Sequence, residues 1–286
     1  HPIIPLAPIK HAGIQIAEDS LKKKFMGITA NSKGFFFPEM AFSKKSLPLL
    51  HKLGFNWTVI EDIAVPEELV PCDHIICHNG FNILLRSSHW SEYIWNKGIC
   101  FDEFAAKINC ELPDWTRGKQ AYIIIAMDAE TFGHHISWLN EAFLFPLLLN
   151  WGNGKVISRM EELIQTFPHK EEADVCDCSW AANRGQLSDN NPYPLWDSKY
   201  NPYHLILWNL AKMALKYCEC REAIHECFKV SSSCHWWWIS GGEHWNPGFM
   251  IIGARKAYEI VDRCSDNEEE KRNAQECLER LEALCR

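Results

Sequence analysis

The chain has 286 residues, 47% of them hydrophobic, and a formal net charge of −8. That length supports one large core or two smaller ones. The acidic balance argues against a nucleic-acid backbone as partner, because such binding needs a basic stripe; much of the charge between Asp266 and Glu282 reads as a solvated helix face.

In chain order, Ile14 to Phe25 has an amphipathic, polar-rich helical pattern, and Gly34-Phe35-Phe36-Phe37-Pro38-Glu39 is an apolar strand-forming run that ends in a carboxylate. Ser43 to Leu53 reads as a helix with a serine N-cap and Gly54 as its stop. Asn56-Trp57-Thr58-Val59-Ile60 is a strand closing at Glu61 and Asp62, and His74–Cys77 and Asn82–Leu85 are short strands. Helices follow near Ser88–Asn96 and Phe101–Asn109. Tyr122-Ile123-Ile124-Ile125-Ala126-Met127 is a second apolar run, again closed by an acid, Asp128. A helix is expected across His135 to Leu149, and Lys155-Val156-Ile157 opens one more strand–helix pair. The stretch Phe143–Leu149 is the most apolar, but it contains Pro146 and falls far short of the roughly 20 residues that span a bilayer.

Strands alternating with helices predict a parallel sheet or barrel over residues 1–175, with about six strands legible. Ser179 to Asn201 is a loop rich in Asn, Asp, Pro and aromatic residues. Helices then cover Pro202–Phe228, Pro247–Cys264 and Asn267–Cys285, with Ser231-Ser232-Ser233-Cys234-His235-Trp236-Trp237-Trp238 in the turn after the first. Residues 176–286 therefore read as a helical subdomain.

In an α/β barrel, catalytic groups sit at the C-terminal ends of buried strands, and a strand buried on both faces is continuously hydrophobic. Two such runs that each deliver an acid suggest paired carboxylates facing one pocket, the machinery of glycoside cleavage. Each acid also has a plainer reading, Glu39 as a helix N-terminal acid after Pro38 and Asp128 as an N-cap. Thirteen cysteines without a paired framework suggest reduced thiols of a cytoplasmic protein. Metal binding is a rival idea at two places, Cys72-Asp73-His74-Ile75-Ile76-Cys77-His78 and the set Asp128, His134 and His135. Thirteen tryptophans suit a sugar cleft, whose walls stack on the flat faces of the rings. At least one of Trp236, Trp237 and Trp238 is expected to face that cleft, whereas Trp57, Trp138 and Trp208 have the spacing of core residues.

Four elements in order carry a family resemblance. Gly34-Phe35-Phe36-Phe37-Pro38-Glu39-Met40-Ala41 and Met127-Asp128-Ala129-Glu130-Thr131-Phe132-Gly133-His134-His135 resemble the two catalytic motifs of glycoside hydrolase family 57. His1-Pro2-Ile3-Ile4-Pro5-Leu6 is similar to a segment preceding the first motif, and Leu53-Gly54-Phe55-Asn56-Trp57 with Asp62 to one following it. Ser179-Trp180 and His235-Trp236-Trp237-Trp238 extend the likeness into the helical part. The resemblance implies an incomplete seven-stranded (β/α) barrel followed by an α-helical subdomain. It implies action on α-1,4-glucans with retention, as an amylase, 4-α-glucanotransferase or branching enzyme, with no metal and no organic cofactor. Glu39 would be the nucleophile and Asp128 the general acid/base. His1, Phe36, Trp57, Asp62, Glu130, His134, His135, His235, Trp236, Trp237 and Trp238 would contact the sugar. Phe36 stands where many members have tryptophan. The family's first motif would lie upstream of His1 together with the first barrel strands, so the chain reads as the C-terminal portion of a longer enzyme. Two other classes stay open: a metal-dependent deacetylase or mannosidase-like barrel, and a non-catalytic glucan-binding relic.

Overall fold

A computed structural model describes residues 33–69, 73–116, 118–150, 157–167, 170–220, 223–242 and 245–285. The predicted helix Ile14–Phe25, His1, Cys72, Lys155 and Val156 lie outside the described residues. The chain divides into two compact units, a mixed unit of Lys33–Met40 with Leu50–Cys176 and a helical unit of Ala41–Leu49 with Asp177–Arg286.

In chain order the first elements are β1 (Gly34–Phe36), α1 (Leu47–Lys52), β2 (Trp57–Glu61), β3 (Ile75–His78), β4 (Phe81–Arg86), α2 (Ser88–Lys97), α3 (Phe101–Thr116), α4 (Phe145–Asn150), α5 (Met160–Thr166) and β5 (Lys170–Glu172). The five strands form one sheet in the order β1-β2-β4-β3-β5. β1, β2 and β4 run parallel, with Phe36 level with Val59 and Glu61 level with Arg86. Their C-terminal ends therefore share one edge. β3 departs from the expected all-parallel order by pairing antiparallel to β4. The reason is local: Asn79 and Gly80 both take positive φ, 50° and 77°, which is the mirror-image turn that closes a two-residue hairpin.

The run Tyr122–Met127 is not a ladder strand. Among the described residues one backbone bond ties it to the end of β4, the Ser87 N–H donating to the Ile124 carbonyl at 2.8 Å. Its apolar residues nevertheless serve both faces. Tyr122 and Ile124 are buried, while Ile123, Ile125 and Met127 pack on a cluster of Trp90, Ile94, Ile99, Phe104, Ile108, Leu139 and Phe143. The helix expected from His135 starts later. A π-helical turn spans Asn140–Leu144 and leads into α4. Trp138 consequently lies outside a helix face and is 47% exposed, which corrects its assignment to the core.

β1 lies close against the indole of its neighbour. A Cβ on Gly34 would come within 2.0 Å of Trp57 ring atoms, and that ring is held by its Nε1–H donating to Glu161 at 3.3 Å. Gly34→Ala is expected to destabilise the protein by about 1–3 kcal/mol, the usual cost of overpacking. Urea unfolding followed by tryptophan fluorescence reads it.

The helical unit contains α6 (Arg184–Ser188), α7 (Pro202–Leu215), α8 (Ile224–Val230), α9 (Cys234–Trp237), α10 (Pro247–Cys264) and α11 (Glu268–Ala283). Asparagine caps start the three long helices. The side chains of Asn201, Asn246 and Asn267 each accept from first-turn N–H groups, and Pro202 and Pro247 occupy positions where no N–H is needed. The single helix expected over Pro202–Phe228 is broken between Leu215 and Ile224. The buried faces of α7, α10 and α11 meet in one core around Leu207, Leu210, Ala254, Ala257 and Leu281.

Candidate active site

Three of the predicted acids, Glu39, Asp62 and Asp128, follow β1, β2 and the run tied to the end of β4. β1 ends at Phe36 and is followed, after Phe37, by a turn over Pro38–Met40. Within it Glu39 has φ 59° and ψ 18°, and Met40 has φ 48°. Two successive non-glycine residues in the left-handed region cost on the order of 1–2 kcal/mol each. Such strain persists only where the surroundings over-determine it, and it clusters at functional positions. Here Met40 is fully buried, and its N–H donates to the Phe37 carbonyl at 2.9 Å. The turn thus presents a half-buried Glu39 at the end of β1. Phe36, just before it, is 48% exposed.

β2 ends at Glu61 and Asp62. Asp62 Oδ2 accepts from the Ser88 N–H at 2.9 Å and from the Ser88 hydroxyl at 3.0 Å, at the start of α2. Glu61 is buried and accepts from Arg86 Nη1 at 2.6 Å. Burial pushes the Glu61 carboxyl up to about 7 against the pull of the Arg86 guanidinium.

Asp128 closes the apolar run, and a short turn over Ala129–Thr131 follows it. The Glu130 carbonyl accepts from the N–H groups of His134 and His135 at 3.1 and 2.8 Å, which folds the chain back after Glu130. His134, His135, Glu130 and Asp128 are all exposed, and the His135 ring meets Trp95 edge-on at 5.5 Å. Partial desolvation holds the Asp128 carboxyl above the usual range, Glu130 adds to the rise, and His135 opposes it. A carboxyl whose proton affinity is raised in this way suits a proton donor.

These causes predict opposite pH shifts for two variants. The alkaline limb of the kcat/KM profile reports deprotonation of the acid in the free enzyme. Glu130→Gln removes a repelling charge, so it is expected to move that limb to lower pH; His135→Ala removes the group that opposes the rise and is expected to move it to higher pH. Profiles of the two variants beside wild type read both signs.

Other residues singled out in the sequence have different surroundings. Trp57 is half-buried with its indole on Gly34. In the helical unit Trp236 is 1% exposed and stacks on Trp208 with centroids 4.3 Å apart, so core packing takes up its ring. His235 is buried, with Nδ1 facing the Phe249 carbonyl at 2.8 Å and Nε2 the Lys229 carbonyl at 3.0 Å. Trp237 and Trp238 are half-buried, and Trp238 stacks on Phe249. Among the described residues no three His, Cys, Asp or Glu side chains are grouped to hold a metal, and this includes Asp128, His134 and His135. Arg86 and the buried Ser91 escaped the sequence reading. A lone arginine at the end of an apolar strand gives no signal until the register sets it level with Glu61.

The family model of glycosyl hydrolase family 57 matches residues 1–167. No curated protein matches the chain. Among solved structures, the 4-α-glucanotransferase from Thermococcus litoralis is similar, with TM-score 0.64 and 13% identity over 88% of this chain and 45% of that one. The GH57-type branching enzyme from Pyrococcus horikoshii has TM-score 0.61 and 13% identity over 96% of this chain and 67% of that one. A GH57 branching enzyme from Thermococcus kodakaraensis, solved with glucose, has TM-score 0.59 and 14% identity over 95% and 66%. The chain thus spans 45% to 67% of the length of these proteins. At such identities the likeness concerns the fold. Among the described residues no helix is long and apolar enough to cross a membrane.

Proposed function

The chain belongs to glycosyl hydrolase family 57, and on that premise we propose that it cleaves or transfers α-1,4-glucan chains with retention, by double displacement. Glu39 is the nucleophile. Its carboxylate attacks the anomeric carbon while the bond to the leaving oxygen breaks, and Asp128 gives that oxygen its proton. Asp128 then takes a proton from the water or sugar hydroxyl that opens the glycosyl ester, which returns both acids to their starting states.

The observation that carries this reading is the shared edge: Glu39 follows β1, Asp128 follows the run tied to β4, and β1 and β4 flank β2 in parallel. The raised proton affinity of Asp128 supports its half of the pair. We assign sugar contacts to Phe36, Trp57, Asp62, Glu130, His134 and His135 beside the acids. Trp237 and Trp238 are further candidates, and His1, His235 and Trp236 are kept from the family motifs. The proposed scaffold is an incomplete seven-stranded barrel over residues 1–175, with residues 176–286 as its helical subdomain. The cysteine-rich, unpaired composition supports a cytoplasmic place of action.

The similar structures are a glucanotransferase and a branching enzyme, so the test follows chain lengths. The full-length protein is incubated with amylose and the products are sized. Hydrolysis gives shorter chains with new reducing ends, and transfer gives longer and shorter chains at constant reducing ends. An unchanged length distribution overturns the proposal.

A further inference from the structure

The acid at the end of the 122–127 run can work only if the backbone carrying it is held still, and this run has few ladder bonds to hold it. Beyond the bond from the Ser87 N–H to the Ile124 carbonyl, its fixing points are side chains. Arg86 Nε donates to the Ala126 carbonyl at 2.7 Å, and the same guanidinium donates through Nη1 to Glu61 at 2.6 Å. On the other side of the residue, the Ala126 N–H donates to Ser91 Oγ at 3.3 Å. Both backbone groups of Ala126 are therefore tied, one to the end of β4 and one to α2. Arg86 is 7% exposed, Glu61 2%, and Ser91 fully buried. Ala126 stands two residues before Asp128.

We propose that Arg86, seated on Glu61 and seconded by Ser91, is a positioning residue that sets the height and direction from which Asp128 reaches the leaving oxygen. This rests on the assignment of Asp128 as the proton donor.

The chemistry favours arginine for this task. A planar guanidinium presents donors in a rigid fork, so one head can serve the Glu61 carboxylate and the Ala126 carbonyl along fixed directions. A lysine carries the same charge on one rotating point and cannot hold both acceptors in that geometry. Arg86→Lys thus keeps the counter-charge for buried Glu61, whose loss would threaten the fold, and removes the fork. Displacing a catalytic group by about 1 Å costs up to roughly 100-fold in rate.

Two substrates separate positioning from general damage. Amylose needs its leaving oxygen protonated. α-Glucosyl fluoride does not, because fluoride departs without an acid, so its first-turnover release reads attack by the nucleophile alone. Arg86→Lys is expected to lower kcat on amylose by about 10- to 100-fold, with KM little changed and the fluoride burst near the wild-type rate. Ser91→Ala, which removes only one hydroxyl, is expected to show the same selectivity at smaller size should Arg86→Lys fail to fold. Asp128→Asn run alongside keeps the two readings apart. If Asp128→Asn shows the selective loss but Arg86→Lys and Ser91→Ala lower both rates equally or neither, the positioning role is overturned. If Asp128→Asn itself shows no selectivity, the assignment of the acid falls first.

Discussion

Asp128→Asn is expected to lower kcat on amylose by about 10²- to 10⁴-fold, the usual contribution of a positioned general acid. The amide is nearly isosteric but has no proton to give, so binding should suffer little and the loss should fall on kcat. The raised proton affinity of this carboxyl, caused first by desolvation and then by Glu130, extends the acid form to higher pH than in an unperturbed aspartate. In the variant the alkaline limb of the pH profile should therefore vanish, since the group that titrated there is gone. Persistence of that limb would assign the acid to another residue.

Glu39→Ala is expected to have the larger effect, a fall in turnover of roughly 10⁴-fold or more, because removing a covalent nucleophile leaves only binding and electrostatic contributions. Unlike Asp128→Asn, it should abolish reaction with α-glucosyl fluoride as well as with amylose, since both need attack at the anomeric carbon. The substitution also relaxes nothing in the backbone: alanine at φ 59° is as strained as glutamate. The fold should then change little, and a melting temperature near that of wild type would show that the loss is chemical. Comparable fluoride release from Glu39→Ala and wild type would remove Glu39 from the mechanism.

Much of this was legible because the residues concerned obey local rules. The helix over Pro247–Cys264 stands where the sequence places it, with Asn246 as cap and proline in its first turn. β2 and β4 announce themselves by β-branched and aliphatic runs, and the two acids by their position at the ends of such runs. What escaped depends on long-range geometry. Asn79-Gly80 is a hairpin signal, but the direction it imposes on β3 becomes clear only when β4 is its partner. Tyr122–Met127 has the composition of a central strand, yet composition does not say how many backbone partners the fold supplies. Trp138 has core spacing on paper, but it stands in the turn before the helical residues begin, and its indole is 47% exposed. The left-handed backbone at Glu39 and Met40 is invisible in the sequence because neither residue type favours that region. Arg86 was hidden for the same kind of reason: its partners are a carboxylate 25 residues before it and a carbonyl 40 residues after it.

The central claim is that Glu39 forms the bond and Asp128 moves the proton, and one trapping experiment addresses both. With α-glucosyl fluoride, Asp128→Asn should still be glycosylated, because that step needs no acid. It should be deglycosylated slowly, because the base that activates water is missing. The intermediate then accumulates, and peptide mass spectrometry after acid quench reads where the sugar sits. The account predicts one added glucosyl residue on the peptide containing Glu39. An adduct on another residue, or none despite a fluoride burst, would contradict it.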